Sequence, residues 1–431
     1  MGTRVIDLLK KRTFLPLFLT QFFGAFNDNA FKFAMLTLIS YHLSASQVQS
    51  EQKQAIAGAL FILPFFFFSA TAGQLADKFD KSTMVRIIKL FEVLLVLIGG
   101  MAFYLSSTWL LMLTLMGMGI HSTFFGPIKY SILPDHLPLS ALLGATALIE
   151  ASTFLAILLG TILGTLSVSG VKTGAVYAIG LTAFAAFAGL LSSLFIPMAP
   201  STARGLRVDW NIWRSTDKML RDVAMNARTV PAIFAISWFW LVGAVVLTKL
   251  PDYTNYILRA DADVFAVFLA IFSIGIALGS LVINRLLAGK STLRYVPHAM
   301  LLLSFFSSDL YWASPKEIDA VPLQAIKEFF SQLNHWRIAA DLFLLAFSGG
   351  LFVVPLYTYL QVVSDVATRS RTIAANNIIN ALFMVLGTCL VMLLLHFHVS
   401  ISHVFLILAF LNVLAVLVFM ALCHQIKSVH S

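Results

Sequence analysis

The sequence predicts an all-α polytopic membrane protein in which twelve helices cross the bilayer. Of its 431 residues, 59% are hydrophobic and 11% are charged, a composition that soluble domains do not have. Apolar segments long enough to span a hydrocarbon core of roughly 30 Å recur along the whole chain. These segments are continuously apolar and do not alternate with polar residues, which favours helices over the strands of a membrane barrel.

Each predicted span is an apolar run that ends at charged, polar or turn-forming residues. In the first half, the second span holds a phenylalanine run, the fourth ends after a Gly-Pro pair, and the fifth holds a glutamate. The spans of this half are 13–41, 54–76, 84–105, 108–128, 140–167 and 173–197. The second half repeats the pattern at 230–250, 264–286, 293–312, 338–360, 372–395 and 400–423.

A polar segment divides these spans six and six. We therefore expect an N-terminal half at 1–197, a linker at 198–229 and a C-terminal half at 230–431. Tryptophans alternate with bases in the linker, a pattern typical of a helix lying on a membrane surface, and Asp209 is placed to cap that helix.

The two halves resemble each other in sequence. Gly126-Pro127 leads into a polar turn and then Leu159-Gly160-Thr161, while Pro355 leads into a turn and then Leu386-Gly387-Thr388. The offset is about 227 residues, which places the fourth and fifth spans over the tenth and eleventh. Two related six-helix halves are the plan of the major facilitator superfamily, which binds its substrates between the halves.

Basic residues set the orientation. With the N-terminus in the cytoplasm, 21 of the 29 lysines and arginines fall on the cytoplasmic side, as the positive-inside rule requires. Both termini are then cytoplasmic. The net charge of +9 reflects this topology and contact with anionic membrane lipids, and it does not indicate nucleic-acid binding.

Ionisable and amide residues interrupt the first span at its centre. Asp28 and Lys32 are spaced i,i+4, so they share a helix face, and Asn27 and Asn29 flank the aspartate. Charges inside a bilayer are costly and usually mark a transport or coupling site. A purely structural ion pair that fixes helix packing is the alternative.

The loop after the second span reads Gly73-Gln74-Leu75-Ala76-Asp77-Lys78-Phe79-Asp80-Lys81. It resembles the superfamily's signature loop. Gly73 permits close helix approach, and Asp77 is placed to meet the N-terminal end of a neighbouring helix or Arg86. With Lys81, these residues form a candidate conformational latch, a contact made in one state and broken in another. A solvated charged loop is the alternative.

Further polar residues lie inside other predicted spans or at their ends. We interpret Glu92 as part of a local ion pair with Arg86 or Lys89, and His121 as a packing or hydrogen-bonding residue. Lys129 and Glu150 are candidates for substrate binding or coupling. The alternatives are that Lys129 is an ordinary lysine of the positive-inside pattern and that Glu150 is a protonated, hydrogen-bonded structural acid. The second half adds the amides Asn376, Asn377 and Asn380 as candidates.

Motifs of catalysis do not occur. The sequence has no Walker loop, no Gly-x-Ser-x-Gly elbow and no cluster of metal ligands, and its two cysteines imply neither a disulfide framework nor a thiol metal site. We therefore expect neither an enzyme nor a protein that holds a cofactor or metal.

Five strings together resemble one branch of the superfamily, the bacterial lysophospholipid transporters. They are spread from the first to the eleventh span, so the resemblance covers nearly the whole chain. The strings occupy 23–30, 126–134, 150–160, 349–356 and 374–383. Within this branch, the strings most resemble the transporter portion of proteins that fuse this domain to acyltransferase and acyl-carrier-protein synthetase domains. This sequence departs from that plan by ending after the twelfth span, without the enzymatic domains.

This resemblance implies an inner-membrane flippase that moves lysophosphatidylethanolamine from the outer to the inner leaflet by alternating access. A separate cytoplasmic acyltransferase would then rebuild the lipid. Asp28 is the candidate for the headgroup amine. The candidates for the phosphate are Lys32, Lys129, Asn27, Asn29, Asn376 and Asn377. A monomer is expected, and a cation-coupled exporter of drugs or siderophores, or a scaffold for lipid-remodelling enzymes, stays open as an alternative.

Overall fold

A computed structural model describes residues 5–168, 174–287, 293–316 and 322–428. These residues form fifteen α-helices, with a short 3₁₀ helix before the first and a π-helical turn after the ninth. In chain order the helices are α1 (Leu15–Tyr41), α2 (Gln47–Lys78), α3 (Lys81–Tyr104), α4 (Thr108–Ser131), α5 (Leu133–His136), α6 (Leu139–Ser167), α7 (Gly174–Leu194), α8 (Ile212–Ala224), α9 (Val230–Asp252), α10 (Ala262–Leu286), α11 (Val296–Ala313), α12 (Ile326–Phe329), α13 (Leu333–Val363), α14 (Arg369–His396) and α15 (Ile401–Ser428).

Twelve of these helices have 18 or more residues and coincide with the twelve predicted spans, which confirms the all-α membrane class. Among the described residues, ten of them are long and apolar enough to cross a membrane. The other two are α1, which carries the central charged motif, and α11. The predicted spans are shorter than several of the helices because polar end turns, such as the one that Ser46 caps on α2, lie outside an apolar pattern.

The chain divides into two compact units. Unit 1 comprises Met1–Val223 together with Ser364–Ile378, and unit 2 comprises Ala224–Val363 together with Ile379–Ser431. Unit 1 therefore includes the first turns of α14 as well as the N-terminal helices. The boundaries at 197 and 230 stay a prediction.

Unit 1 is built around α1, which packs most extensively against α6 and α7. Two glycines of α6 face the α1 backbone directly. A Cβ at Gly160 would lie 2.5 Å from the carbonyl oxygen of Phe26, and one at Gly164 would collide with the carbonyl oxygen of Ala30. Small residues at these contacts let the helices approach closely enough to fix α1 within the unit.

Unit 2 uses the same device between α10 and α13. A Cβ at Gly279 would collide with the carbonyl oxygen of Phe347, and one at Gly350 would collide with that of Ile276. Around this pair, α9 and α11 pack against α13, and α15 packs against α9 and α11.

The predicted linker helix is present as α8, but its cap differs from the prediction. Asn211, and not Asp209, accepts a hydrogen bond from the Arg214 amide at 3.0 Å. Asp209 instead binds the Arg214 guanidinium, with Nε to Oδ2 at 2.6 Å, and this hydrogen bond lowers the pKa of the Asp209 carboxyl. The helix begins later than its first tryptophan, so the capping position moves by two residues.

Candidate functional site

Asp28 is the central residue of α1, roughly 20 Å from either end of that helix. The α6 glycines hold this part of α1 in place. The carboxylate accepts a hydrogen bond from the Ser122 hydroxyl of α4, and its Oδ1 lies 3.9 Å from Nδ1 of His121. Its side chain keeps 13% of its exposure, so the group is nearly enclosed by unit 1.

Lys32 does not form the ion pair with Asp28 that the i,i+4 spacing suggested. Its ammonium lies over the rings of Phe33 and Phe61, at 5.1 and 5.7 Å from their centroids. The acid of the motif therefore contacts α4, while the base contacts aromatic faces. A shared helix face brings two side chains within reach, but rotamers and neighbouring helices decide whether they meet.

A set of buried polar side chains lies beside Asp28. Glu92 of α3 binds Lys89 at 2.6 Å and His121 at 3.2 Å, and it accepts a hydrogen bond from Nδ2 of Asn27 at 2.7 Å. Lys89, Glu92 and Asn27 have no exposed surface, and His121 has 1%. We define Asp28, Lys89, Glu92 and His121 as the buried cluster.

The local Lys89–Glu92 pair was predicted, but the link from Asn27 to Glu92 and the placement of His121 were not. Lys89 and Glu92 are three residues apart on one helix, which the sequence reveals. His121 reaches them from α4, and a lone histidine carries no signal of a tertiary partner.

The five candidate amides have different environments. Asn29 donates to the carbonyl oxygen of Ala25 at 2.8 Å, and Asn27 is bound to Glu92 as described. In unit 1, Asn377 packs against Gly126, while Asn376 is fully buried with neither amide atom hydrogen-bonded. In unit 2, Asn380 accepts from the Ser237 hydroxyl at 2.8 Å. Asn376 is therefore the amide with unused hydrogen-bonding capacity on both atoms.

Lys129 and Glu150 lie near each other in unit 1. Glu150 is fully buried in α6 and accepts a hydrogen bond from the Tyr130 hydroxyl, while its Oε2 has no hydrogen-bond partner. Lys129 places its ammonium 4.7 Å from the centroid of the Tyr130 ring and acts electrostatically on Glu150. Tyr130, which the sequence did not single out, thus joins the two candidates.

Asp77 binds the N-terminal end of α14. Its Oδ1 accepts from the Ser370 amide at 2.9 Å, and its Oδ2 accepts from the Arg371 amide at 3.3 Å and from Arg371 Nε at 2.9 Å. The carboxylate is buried, and a helix N-terminus attracts negative charge. Gly73 permits this contact, since a Cβ there would lie 2.9 Å from Cα of Arg371.

The other two latch candidates have different partners. Lys81 binds Asp135 at 2.8 Å, and Asp135 also faces Arg369 of α14 at 3.4 Å. Arg86, considered as a partner for Asp77, instead donates to the carbonyl oxygens of Leu194, the last residue of α7, and of Ile196 just after it. Lys81 thus lies beside the contact between Asp77 and α14, whereas Arg86 binds the backbone where α7 ends.

In the described part of the chain, no group of three or more His, Cys, Asp or Glu residues is placed to hold a metal ion. The arrangement instead offers an acid at the middle of α1, amides and a base nearby, and a charged contact at the start of α14. These groups suit a polar or zwitterionic ligand bound inside an apolar protein.

Comparison with known proteins identifies sequence relatives of this chain and solved structures that share its fold. The chain is 26% identical over 370 residues to the lysophospholipid transporter LplT of Photorhabdus laumondii, covering 84% of this chain and 82% of that protein. It is 28% identical over 349 residues to LplT of Escherichia fergusonii, covering 79% and 78%.

Solved structures share the architecture at low identity. The human organic anion transporter MFSD10 matches with a TM-score of 0.74 at 13% identity, covering 95% of this chain and 99% of that one. The transporter FucP, crystallised in its outward conformation, matches with a TM-score of 0.70 at 12% identity, covering 95% and 98%. Residues 17–326 match the family model of the Major Facilitator Superfamily, and the chain belongs to that superfamily.

Proposed function

We propose that this protein is a lysophospholipid transporter of a bacterial inner membrane. The observation that carries the proposal is the similarity to relatives named lysophospholipid transporter, which extends over about four fifths of this chain and of theirs. Substrate and transport mode tend to be shared when similarity extends along both chains and not through one motif alone.

The substrate that we propose has an amine, a phosphate and one acyl tail, as in lysophosphatidylethanolamine. Asp28 would bind the ammonium, because its carboxylate is nearly enclosed and forms no ion pair with Lys32, whose ammonium lies over the Phe33 ring. Lys32, Lys129 and the unpaired amide of Asn376 would serve the phosphate. Burying an amide without hydrogen bonds costs about 1–3 kcal/mol per group, which a ligand or a second conformation would recover.

Transport would proceed by alternating access from the outer to the inner leaflet, with both termini in the cytoplasm. The contact of Asp77 with Ser370 and Arg371 would form in one state and break in another, with Gly73 allowing the approach and Lys81 supporting it through Asp135. A bistable contact of this kind is sufficient for a latch.

The test is inward movement of labelled lysophosphatidylethanolamine in proteoliposomes, read as protection from extraction by external albumin. We expect the purified protein to increase the protected fraction and Asp28→Asn to abolish most of the increase, because an amide does not neutralise an ammonium. Asp217→Asn, the same change on exposed α8, is the matched control and should transport normally.

Two results would contradict the proposal. Folded wild-type protein without any lysolipid movement would exclude lysophospholipid transport. Normal movement by a folded Asp28→Asn variant would place the amine site elsewhere in the chain.

A further inference from the structure

His121 lies between the fully buried carboxylate of Glu92 and the nearly enclosed carboxylate of Asp28. Its Nε2 is 3.2 Å from Oε2 of Glu92, and its Nδ1 is 3.9 Å from Oδ1 of Asp28. The ring also lies parallel to that of Phe125, at 6.3 Å between centroids. Both ring nitrogens therefore face an acid, an arrangement in which the protonated ring interacts favourably on both sides.

Glu92 already has a counter-charge of its own in Lys89. Lys89 binds it at 2.6 Å and Asn27 donates to it at 2.7 Å, with all three side chains fully buried. Breaking a buried pair leaves an uncompensated charge, which is strongly unfavourable. Glu92 and Lys89 thus form a fixed neutral pair that holds the far side of the His121 ring.

Asp28 has no such lysine. Its polar contacts are the Ser122 hydroxyl and His121, and the nearest base on its own helix, Lys32, lies over aromatic rings. The buried cluster therefore carries one net negative charge when His121 is neutral and none when it is protonated.

We propose that the proton of His121 and the ammonium of a lysolipid headgroup compete for Asp28, so that binding an amine headgroup releases that proton. This inference rests on the proposed function, which assigns the amine to Asp28. In the exchange, the N–H bond at His121 Nδ1 breaks and the proton passes to the solvent. The ammonium keeps its own charge and takes the place of the imidazolium beside Asp28. His121 is thus a positioning residue for the headgroup site.

The exchange gives the site a headgroup preference that depends on pH. Because a proton leaves when an amine headgroup binds, the affinity for lysophosphatidylethanolamine should rise with pH while His121 is protonated in the free protein. A glycerol headgroup brings no positive charge, so lysophosphatidylglycerol cannot displace the proton, and its affinity should not rise in the same way.

The experiment is calorimetry of the full chain in detergent near neutral pH. Short-chain lysophosphatidylethanolamine and lysophosphatidylglycerol are each titrated in phosphate and in Tris, buffers whose ionisation enthalpies differ. The difference in binding enthalpy between buffers counts the protons released. We expect up to about one proton per amine lipid and none per glycerol lipid.

Variants assign the proton to its residue. His121→Gln should abolish the buffer dependence for the amine lipid, while His403→Gln, a matched change at an exposed histidine of α15, should retain it. The wild-type measurement itself tests the inference even if His121→Gln does not fold.

The outcomes separate the two proposals. Absence of binding by either lipid would overturn the proposed function. Binding of the amine lipid without proton release would overturn the exchange and leave the function standing. Proton release that persists in His121→Gln would remove the role given to His121.

Discussion

Asp77 binds the start of α14 within unit 1, where its carboxylate accepts charge-assisted hydrogen bonds from Ser370 and Arg371. Asp77→Asn keeps the shape but loses the charge, at a cost of about 1–3 kcal/mol. We therefore expect amide hydrogen exchange across residues 364–378 to become faster in this variant. The increase should be roughly tenfold or more if the energetic cost lies in the upper half of about 1–3 kcal/mol.

The control for this prediction is Asp217→Asn, which makes the same chemical change where the side chain is 58% exposed. It should leave exchange in residues 364–378 unaltered. Equal protection in the Asp77→Asn variant and the wild type would show that the carboxylate does not hold the helix start.

Single residues also mark the limit of prediction from sequence at the site. The charges of Asp28, Lys32 and Asp77 stand out because they interrupt or closely follow apolar runs, so their positions could be found without a structure. Their partners could not, because His121 and Ser370 are distant in sequence and reach these acids through helix packing.

Helix packing supplies a second prediction through two glycines of α2. A Cβ at Gly73 would lie 2.8 Å from Cβ of Ala374, whereas one at Gly58 would meet nothing within 4 Å. Both Gly→Ala changes gain up to about 1 kcal/mol of helix propensity. Gly73→Ala should nevertheless lower the free energy of unfolding by about 1–3 kcal/mol, because the backbone of α14 at Arg371 must move to make room for the new Cβ.

Thermal unfolding of the two alanine variants in detergent measures this difference, and Gly58→Ala serves as the matched control. A melting temperature for Gly73→Ala that equals or exceeds that of Gly58→Ala would mean that the approach of α14 to α2 is not tight.

The start of α3 supplies a third prediction. Asp80 is its N-cap and accepts from the Thr83 amide at 2.8 Å and the Ala199 amide at 2.9 Å. Partial burial raises the pKa of Asp80, but hydrogen bonds from Ser82, Thr83 and Ala199 outweigh it, so the pKa lies below its ordinary value of 3.8. Asp80→Ala should cost about 1 kcal/mol.

The sign of the pH effect follows from the lowered pKa. The stabilisation is fully present well above pH 3.8 and is lost as the pH falls through the lower folded-state value. Unfolding curves from neutral pH down to about pH 3 should therefore converge for wild type and Asp80→Ala. Curves that stay equally far apart at every pH would exclude this role of the ionised carboxylate.

Elements were predicted far better than their ends. Continuous apolar runs identify all twelve long helices, since lipid and protein interior impose the same requirement on them. The sequence predicts Asp209 as the cap of α8, whereas Asn211 is the cap. Aspartate and asparagine both cap helices well, and the two residues are only two positions apart, so the sequence does not distinguish them.

At the scale of the whole molecule, the distribution of basic residues predicts that both termini are cytoplasmic. Green fluorescent protein fused after Ser431 should fluoresce, and alkaline phosphatase inserted between α11 and α12 should be active, because this orientation predicts that the loop is outside. Alkaline phosphatase fused after Ser431 should be inactive if the C-terminus is cytoplasmic. Activity of this fusion would contradict the predicted orientation.

Unit 1 also has a consequence for biosynthesis. It is not a continuous stretch of chain, because Ser364–Ile378 belongs to it. A ribosome must therefore make all of Ala224–Val363 before the segment that covers Asp77 and Gly73 exists, a delay on the order of 10 s. During that interval the Asp77 carboxylate is uncovered and lacks the donors that Ser370 and Arg371 later provide. We therefore expect newly made protein to be most accessible to membrane chaperones and proteases at this stage.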